Sequence, residues 1–498
     1  MKRYKHNLSH HTPHTFNLGQ IYPVGCHEVL PGDMMQHRTS ALVRFIPQLA
    51  PVMHKVDVRI MRFYCPNRIL WSGWEDFITG GPDGNDASVP PTVSTGATPA
   101  TTAPLLLAFG IPAVANTDVS ALPVRAYNKV VNEYFRDQDL ISVYDQDDLT
   151  IKQAAWSKDR YTSARPWQQK GDSVSIPFGS GSAPVTGIGV RGAPFGNQAV
   201  PFNDVKETDA SGNTTYNDYE NFQDGLVYLE EDPNSSGYPN VRANLSGVDA
   251  IDVHALREGL ALQRYKEARA RYGSRYTEYL RYCGVIPSDA RLQRPEYLGG
   301  GRQTVSFSEV LATGWAKFGG NGTTPPNIGA MGGHGISALK SKRSIKFFEE
   351  HGFVITLMVV RPKPMYNDLT QKMWLRTEKE DYYQKELELV GQQEIYKREL
   401  YTTGTATDDE VFAYGDRYRE YTELPSYTTG EMKAGEINDH WTFTRALGGS
   451  PTLNQSFIEC VPTDRVFSTS NVDQMQVLVN HSIQARRYVM GRAQPRIV

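Results

Sequence analysis

The sequence predicts a mainly β protein with long loops and helical insertions, and three observations support this fold class. The 498 residues include 43 glycines and 30 prolines, many of them scattered singly, a pattern typical of loop-rich β folds. Three segments have the residue pattern of strands and lie far apart along the chain. Segments with helical spacing lie between them, so the strands must pair non-locally.

The three predicted strands differ in how their faces should be covered. Lys55–Tyr64 alternates apolar with polar residues, which predicts one buried face. Phe353–Val360 is a nearly continuous apolar run, which favours a strand with both faces covered. Gln474–Ile483 places four apolar side chains on one face, namely Met475, Val477, Val479 and Ile483.

Two stretches predict helices. Pro123 suits the first turn of a helix, and apolar residues follow it with helical spacing as far as Tyr134. Ser246–Asp249 is a candidate capping box for a second helix, which should continue to about Tyr282 with a break near Gly273. The apolar residues that this second helix carries at helical spacing are Ile251, Leu256, Leu260 and Tyr265.

Two stretches rich in turn-forming residues predict long surface loops. They cover Thr79–Thr102 and Gly179–Asn244. A structureless segment of more than ~15 residues in a compact domain is usually functional or disordered. We therefore interpret the second stretch as an insertion exposed outside the core.

Charge is distributed unevenly, although the net charge of −3 gives the whole chain no basic bias. Residues 1–27 and 474–498 contain no Asp or Glu, whereas Asp204–Asp232 holds nine acids against one base. Basic termini favour contact with a polyanion, whereas an acidic insertion favours exposure to solvent. Termini are also polar and mobile in many proteins. The candidate phosphate-binding residues are Arg486, Arg487, Arg492 and Arg496, with Lys2, Arg3 and Lys5 as a second group.

The cysteines and the apolar segments limit the cellular context. Cys26, Cys65, Cys283 and Cys460 lie far apart and form no C-x-x-C pair, so neither a zinc site nor a disulfide framework is predicted. The longest apolar stretch, Ala103–Ala115, is shorter than the ~20 residues that a spanning helix needs. No secretory signal is present. We therefore expect no association with membranes.

Motifs that indicate catalysis or cofactor binding are weak. Gly187–Gly192 matches G-x-G-x-x-G, but Pro194 follows where a dinucleotide site needs a helix. Pro13 argues against a helix that would align His10 with His14 as metal ligands, so a mobile arm is the better interpretation there. No G-x-S-x-G, H-E-x-x-H or Walker motif occurs. We predict no enzyme activity, catalytic residue, metal site or cofactor.

A set of short strings stands in a distinctive order over residues of about 30–170 and 245–470. The strings are Leu30–Asp33, Arg44–Pro47, Pro51–His54, Arg62–Arg68, Trp71–Phe77, Arg125–Asn128, Tyr134–Leu140, Arg160–Trp167, Ser288–Gly300 and Gly332–Gly335. Together they resemble the major capsid proteins of microviruses, small single-stranded-DNA bacteriophages, and especially the gokushovirus-like branch. The glycines of the last string predict a flexible turn, and His334 lies within it.

The resemblance implies a viral jelly roll, an eight-stranded antiparallel β-barrel with long loop and helical insertions. Residues 1–50 would form an N-terminal arm and first shell contacts. Residues 51–178 and 246–498 would form the jelly-roll capsid domain, with residues 179–245 as a surface insertion that protrudes at a threefold axis.

The resemblance also implies a T=1 icosahedral shell around circular single-stranded DNA, with the basic termini on its interior. The implied partners are further copies of the chain, the packaged DNA, an internal scaffolding protein, a DNA pilot protein, a small basic DNA-packaging protein and a host surface receptor bound by the insertion. The protein would reside in the virion after assembly in the bacterial cytoplasm.

Two other functions remain open at this stage. One is a receptor-binding or spike protein of a virion. The other is a carbohydrate-active enzyme on a β-sandwich, since the chain contains 7 Trp, 27 Tyr and 19 Phe. Formation of closed shells of one size by the expressed chain would separate the capsid function from both.

Overall fold

The computed structural model describes residues 3–82, 85–174, 253–273, 275–311 and 331–490, together with four short strands between residues 185 and 243. The strands are β1 Tyr4–Asn7, β2 His10–Phe16, β3 Ile21–Val29, β4 Met34–Phe45, β5 Val56–Pro66, β6 Thr92–Ser94, β7 Asp118–Ser120, β8 Val185–Val190, β9 Val205–Thr208, β10 Thr214–Asn217, β11 Arg242–Ala243, β12 Glu296–Thr304, β13 Ser306–Leu311, β14 Met331–Lys340, β15 Ser344–Phe347, β16 Gly352–Pro362, β17 Met365–Tyr366, β18 Gln392–Tyr396, β19 Val411–Asp416, β20 Ser426–Tyr427 and β21 Met475–Arg487.

Helices are short apart from one. The α-helices are α1 Trp74–Thr79, α2 Pro99–Thr102, α3 Pro104–Ala108, α4 Leu122–Val130, α5 Val253–Tyr272, α6 Tyr276–Tyr282, α7 Lys397–Leu400, α8 Arg419–Thr422 and α9 Gln455–Ile458. A π-helical turn covers Val131–Phe135. Turns of 3-10 helix cover Asn67–Ile69, Lys372–Trp374, Lys379–Asp381, Leu387–Val390, Ala406–Asp409, Gly430–Met432 and Asp439–Trp441. In the described ranges, no helix is both long and apolar enough to cross a membrane.

The chain divides into two units, residues 1–168 with 269–498, and residues 169–268. The second unit contains an antiparallel sheet in the order β10-β9-β8-β11. The stretch predicted as a long surface loop, Gly179–Asn244, therefore contains strands. Most of its acidic run, Asp204–Asp232, lies outside the described residues, as does the predicted capping box Ser246–Asp249.

Two antiparallel sheets pack face to face in the first unit. The larger has the order β1-β21-β4-β14-β13, with β2 also paired to β21 and β15 to β4, and the smaller has the order β12-β5-β16-β3. Buried side chains from both sheets form one core, for example Val43 and Val479 against Val58 and Met358. The mainly β prediction is confirmed, and the described strands form no closed barrel.

The smaller sheet is covered on both faces. Its second face packs against α3 and α4, and Phe63, Ile355 and Leu357 form one buried cluster with Leu105 and Tyr127. The prediction that 353–360 is covered on both sides is confirmed, because nearly every residue of β16 is buried.

The predicted buried face of 55–64 is confirmed, because Val56, Val58 and Ile60 are 0% exposed, but polar residues of β5 are buried as well. Asp57 and Arg62 in β5 are only 2% and 0% exposed. β5 is a central strand, paired with β12 on one side and β16 on the other, and most of its residues are buried on both faces. Its polar residues are therefore buried with partners, as when Arg62 donates to Ser341 Oγ over 3.0 Å.

The third predicted strand and both helix predictions are confirmed. β21 buries one face and exposes the other along its whole length. Pro123 lies in the first turn of α4, and α5 is separated from α6 at Gly273, whose φ of +94° favours glycine. However, several large apolar residues of α5 are exposed, with Leu260 at 55% and Tyr265 at 48%.

The N-terminal residues are part of the larger sheet, so the prediction of a mobile arm at His10–His14 was wrong. β1 pairs with residues 484–487 of β21, and β2 pairs with residues 475–481 of the same strand. Pro13 is tolerated in β2 because an edge strand uses hydrogen-bonding groups on one side only.

Burial of His54 predicts a loss of stability in acid. His54 is 7% exposed, its Nε2 lies 2.7 Å from the carbonyl oxygen of Lys363, and its Nδ1 is buried without a partner. Burial lowers the pKa of His54 from 6.5 to about 4. Below pH 6.5 the unfolded chain therefore binds a proton that the folded chain does not, and stability falls as the pH approaches 4.

The free energy of unfolding should fall between pH 8 and pH 5 by about 2 kcal/mol less in His54→Gln than in the parent protein. Urea unfolding of the purified chain at both pH values measures this difference. The control is His334→Gln, because His334 is exposed. An unchanged pH dependence in His54→Gln would show that other groups cause the acid sensitivity.

Candidate nucleic-acid interface

The outward face of the larger sheet carries positive charge and no negative charge. Side chains alternate across a strand, so every second residue of β1, β2, β4, β13, β14, β15 and β21 points away from the core. None of these outward positions is Asp or Glu. The bases among them are Lys5, Arg38, Arg44, Lys340 and Arg486. We call this surface the basic face.

Strand pairing brings these bases together from distant parts of the chain. Lys5 of β1 lies opposite Arg486 of β21, and Arg44 of β4 lies opposite Gln476 of β21. Lys340 of β14 lies opposite Ser40 of β4. Lys5, Arg44, Lys340 and Arg486 are all exposed. Their charged groups are therefore accessible to the phosphates of a polyanion without any rearrangement of the sheet.

One corner of the basic face adds aromatic rings to the charge. The Arg3 guanidinium lies 5.0 Å from the ring centre of Phe347 and 5.1 Å from that of Tyr488. Phe347 is 44% exposed and Tyr488 is 40% exposed. Exposed rings beside basic side chains are the usual platform for the bases of single-stranded nucleic acid, because every base has a face that can stack.

Arg487 is not part of the basic face, although it was predicted with Arg486. Its side chain points to the opposite side of β21, where Nε lies 2.9 Å from Asp33 Oδ2. Asp33 is 1% exposed, and Arg487 also donates to the carbonyl oxygen of Glu28 over 2.7 Å. Arg487 therefore has a structural partner. The other predicted residues, Lys2, Arg492 and Arg496, lie outside the described residues.

Sequence reasoning missed Arg38, Arg44 and Lys340. The signal was present in β4, where residues 34–45 alternate between outward polar or long side chains and buried ones. The pairing of β4 with β21 and β14 could not be read from this pattern, because the partners lie hundreds of residues away in sequence.

The prediction of a flexible turn at Gly332–Gly335 was wrong, because this segment belongs to β14. Glycine is required here because neighbouring backbone and side-chain atoms pack against the strand too closely to leave room for a Cβ, and not because the chain turns. A Cβ at Gly333 would lie 2.4 Å from the carbonyl oxygen of Ala50, and one at Gly335 would lie 2.7 Å from the Phe307 ring. His334 points outward between them and is exposed.

Comparison with known proteins identifies the class of protein that carries this surface. A family model described as capsid protein (F protein) matches residues 1–495. The chain belongs to this capsid protein family. It is 33% identical over 494 residues to capsid protein VP1 of Bdellovibrio phage phiMH2K, covering 95% of this chain and 90% of the relative.

Two further relatives of this capsid family support the assignment. The chain is 30% identical to capsid protein VP1 of Chlamydia phage 1, covering 94% of this chain and 91% of the relative. It is 29% identical to capsid protein VP1 of Spiroplasma virus 4, covering 92% and 87%. The predicted function of a phage major capsid protein is confirmed by these matches, and the spike and carbohydrate-active alternatives have no comparable support.

Proposed function

We propose that this chain forms a T=1 icosahedral shell around circular single-stranded DNA, with the basic face turned toward the packaged genome. The observation that carries the proposal is a sheet surface with five bases and no acid, on a chain whose net charge is −3. Phosphate neutralisation by Lys and Arg supplies affinity that does not depend on base sequence.

The two facing sheets support a jelly-roll shell domain. A jelly roll packs two antiparallel sheets around one core, and the smaller sheet here has four antiparallel strands in the order β12-β5-β16-β3. We assign residues 51–178 and 246–498 to this domain. Residues 1–50 supply β1 to β4 of the two sheets and, in our proposal, the first shell contacts. The role is structural and not enzymatic.

Exposed apolar side chains support assembly of many copies. In this chain several large apolar residues are more than half exposed, and a shell would bury such groups in contacts that each exceed ~1,000 Å². These residues include Ile286, Trp374, Leu424, Ile437 and Val461.

The proposed partners follow from the charge of the chain and from its resemblance to microvirus capsids. A net charge of −3 cannot neutralise a genome, so a small basic DNA-packaging protein would supply most of the countercharge. An internal scaffolding protein would direct assembly in the host cytoplasm, and a DNA pilot protein would share the virion. Electron microscopy of the chain expressed with the phage scaffolding protein tests the shell directly, since closed particles of one size are expected.

Removing charge from the basic face should weaken binding of single-stranded DNA and its dependence on salt. We expect the variant with Lys5, Arg44, Lys340 and Arg486 replaced by glutamine to lose about 2.8 from the slope of log K against log salt, because each phosphate contact on a single strand contributes about 0.7. Fluorescence anisotropy of a labelled oligothymidine over a KCl series measures the slope for the purified chain.

A matched control variant removes the same number of positive charges from exposed positions that lie off the basic face. Lys55, Lys363, Lys379 and Lys385 are exposed and lie off the basic face, and their replacement by glutamine should leave the slope nearly unchanged. Equal losses in both variants would indicate a general charge effect. An unchanged slope in the basic-face variant would contradict the proposed interior surface.

We further propose that the insertion, residues 179–245, protrudes from the shell and contacts the host receptor. Its acidic run would keep it in solvent and away from packaged DNA. Replacing residues 181–240 with a short Gly-Ser linker should leave shells intact, remove protrusions seen by electron microscopy and reduce adsorption to host cells. Normal adsorption would remove the attachment role, and failure to form shells would show that the segment belongs to the shell.

A further inference from the structure

Four histidine side chains meet between the two sheets of the first unit. His10 comes from β2, His27 from β3, His37 from β4 and His481 from β21. The ring centres of His10, His27 and His481 form a nearly equilateral triangle with sides of 5.0, 5.1 and 5.2 Å. A nitrogen from each of these three rings lies within 4.8 Å of the other two, a grouping of potential metal ligands found nowhere else in the part of the chain that the structure describes.

Hydrogen bonds leave suitable ring nitrogens free to bind a cation. The Nδ1 of His10 lies 3.0 Å from the carbonyl oxygen of Leu8, which leaves the Nε2 lone pair available. The Nε2 of His27 is buried and has no hydrogen-bond partner among the described residues. A buried polar atom without a partner is costly, and a bound metal ion would satisfy it.

Gly25 keeps space open beside two of these nitrogens. A Cβ at Gly25 would lie 2.8 Å from His481 Nε2 and 3.4 Å from His27 Nε2, so both atoms border the same small volume. In the structure His481 Nε2 lies 2.9 Å from the carbonyl oxygen of Val24. This single contact to a backbone oxygen is the one that a metal ion would replace.

We propose that His10, His27 and His481 form a Zn²⁺ site, with His37 as its supporting partner. Three imidazoles and one water complete a tetrahedral Zn²⁺ site, and the exposed side of His10 gives water access. Nitrogens bound to Zn²⁺ at ~2.0–2.1 Å lie roughly 3.3 Å apart, so the rings need small side-chain rotations. When His481 Nε2 binds the ion in place of the Val24 carbonyl oxygen, the ring proton would move to Nδ1 and be donated to His37 Nε2, which lies 3.1 Å away, as the second nitrogen of a metal-bound histidine usually requires.

The site would tie three separate parts of the fold together. His10 lies in the N-terminal edge strand, His27 in the smaller sheet and His481 in the middle of β21. A bound ion would therefore fasten the N-terminal strand beneath the corner that carries Lys5 and Arg486. Arg62 is fully buried near His37 and His481, and its charge opposes a dication, which limits the affinity.

Zn²⁺ binding by the full chain tests the proposal. The chain is stripped with a chelator, and Zn²⁺ uptake is measured by equilibrium dialysis, with the melting temperature as a second readout. We expect one Zn²⁺ bound per chain, a higher melting temperature with Zn²⁺, and a visible Co²⁺ absorption band typical of tetrahedral sites. His10→Ala should lower the affinity for Zn²⁺ by at least about 10–100-fold, because even supporting residues contribute that much.

His11→Ala is the matched control. His11 neighbours His10 in the same strand and is also exposed, but its side chain lies on the outward face. It should bind Zn²⁺ like the parent, while His27→Gln should lose binding like His10→Ala. Uptake by the parent no greater than that of His10→Ala, an equal loss in His11→Ala, or a Co²⁺ complex without the tetrahedral band would each overturn the proposal.

Discussion

Replacing Glu399 with alanine is expected to lower the free energy of unfolding by about 3–5 kcal/mol, which is the usual cost of removing one partner from a buried ion pair. Glu399 Oε2 lies 2.9 Å from Arg160, and the two side chains are 1% and 3% exposed. Glu420 lies 3.9 Å from Arg160, Lys372 and Arg376. Without Glu399, one carboxylate would face three buried or partly buried cations.

Urea unfolding of the purified chain measures the Glu399→Ala effect. Glu380→Ala is the control, because Glu380 pairs with Lys379 in an exposed ion pair that should contribute less than about 1 kcal/mol. The double variant Arg160→Met with Glu399→Leu should recover most of the lost stability, since apolar pairs of similar volume often replace a buried ion pair without loss. A double variant no more stable than Glu399→Ala would contradict an electrostatic cause.

The second large effect separates two adjacent arginines. Arg487→Gln should lower the free energy of unfolding by roughly 3 kcal/mol, because it leaves the buried Asp33 carboxylate without its cation. The value lies at the lower end of the usual range because 18% of the Arg487 side chain is exposed. Arg486→Gln should change stability by less than about 0.5 kcal/mol, as exposed substitutions usually do.

For DNA binding, the substitution of Arg486 should have the larger effect and that of Arg487 the smaller. Arg486→Gln should reduce the salt slope for oligothymidine by about 0.7, whereas Arg487→Gln should leave the slope of the folded chain unchanged. Urea unfolding and anisotropy on the same two preparations give both readouts. If the two variants matched in stability and in salt slope, the assignment of opposite roles to neighbouring residues would be wrong.

The turn that holds Asp33 shows what local sequence can and cannot predict. Leu30–Asp33 closes a turn in which the Asp33 amide donates to the Leu30 carbonyl oxygen over 3.0 Å. Gly32 has a φ of +85°, which a Pro-Gly pair predicts for the third position of a type II turn. Asp33 binds Arg487, which lies over 450 residues later in the sequence. This contact depends on the pairing of β4 with β21 and cannot be predicted from the neighbouring residues.

The same distinction explains the outcomes for the strands. The apolar content of Phe353–Val360 and the alternation of Gln474–Ile483 report burial directly, so both predictions were confirmed. Lys55–Tyr64 alternates like a half-exposed strand, yet Asp57 and Arg62 are buried among partners from other strands. A polar residue in a strand predicts solvent only when no distant partner can satisfy it.

The site could be predicted only in part for a similar reason. Basic composition at the two termini identified Arg3, Lys5 and Arg486, since local absence of acids is visible in sequence. Arg38, Arg44 and Lys340 join them through strand register. The histidine cluster was missed because His10, His27 and His481 approach one another only when three strands from two sheets are in place.

The position of β21 between β4 and the N-terminal strands has a consequence for synthesis of the protein. Phe45 ends β4, and its partner Met475 follows about 430 residues later in the sequence. At the usual ~5–20 residues per second, the ribosome needs roughly 20–90 s to supply this partner. Throughout that interval β4 presents an unsatisfied edge, which is a template for wrong pairing. A nascent chain cannot complete its larger sheet before nearly the whole chain has been translated, so truncated translation products should aggregate and should not enter particles.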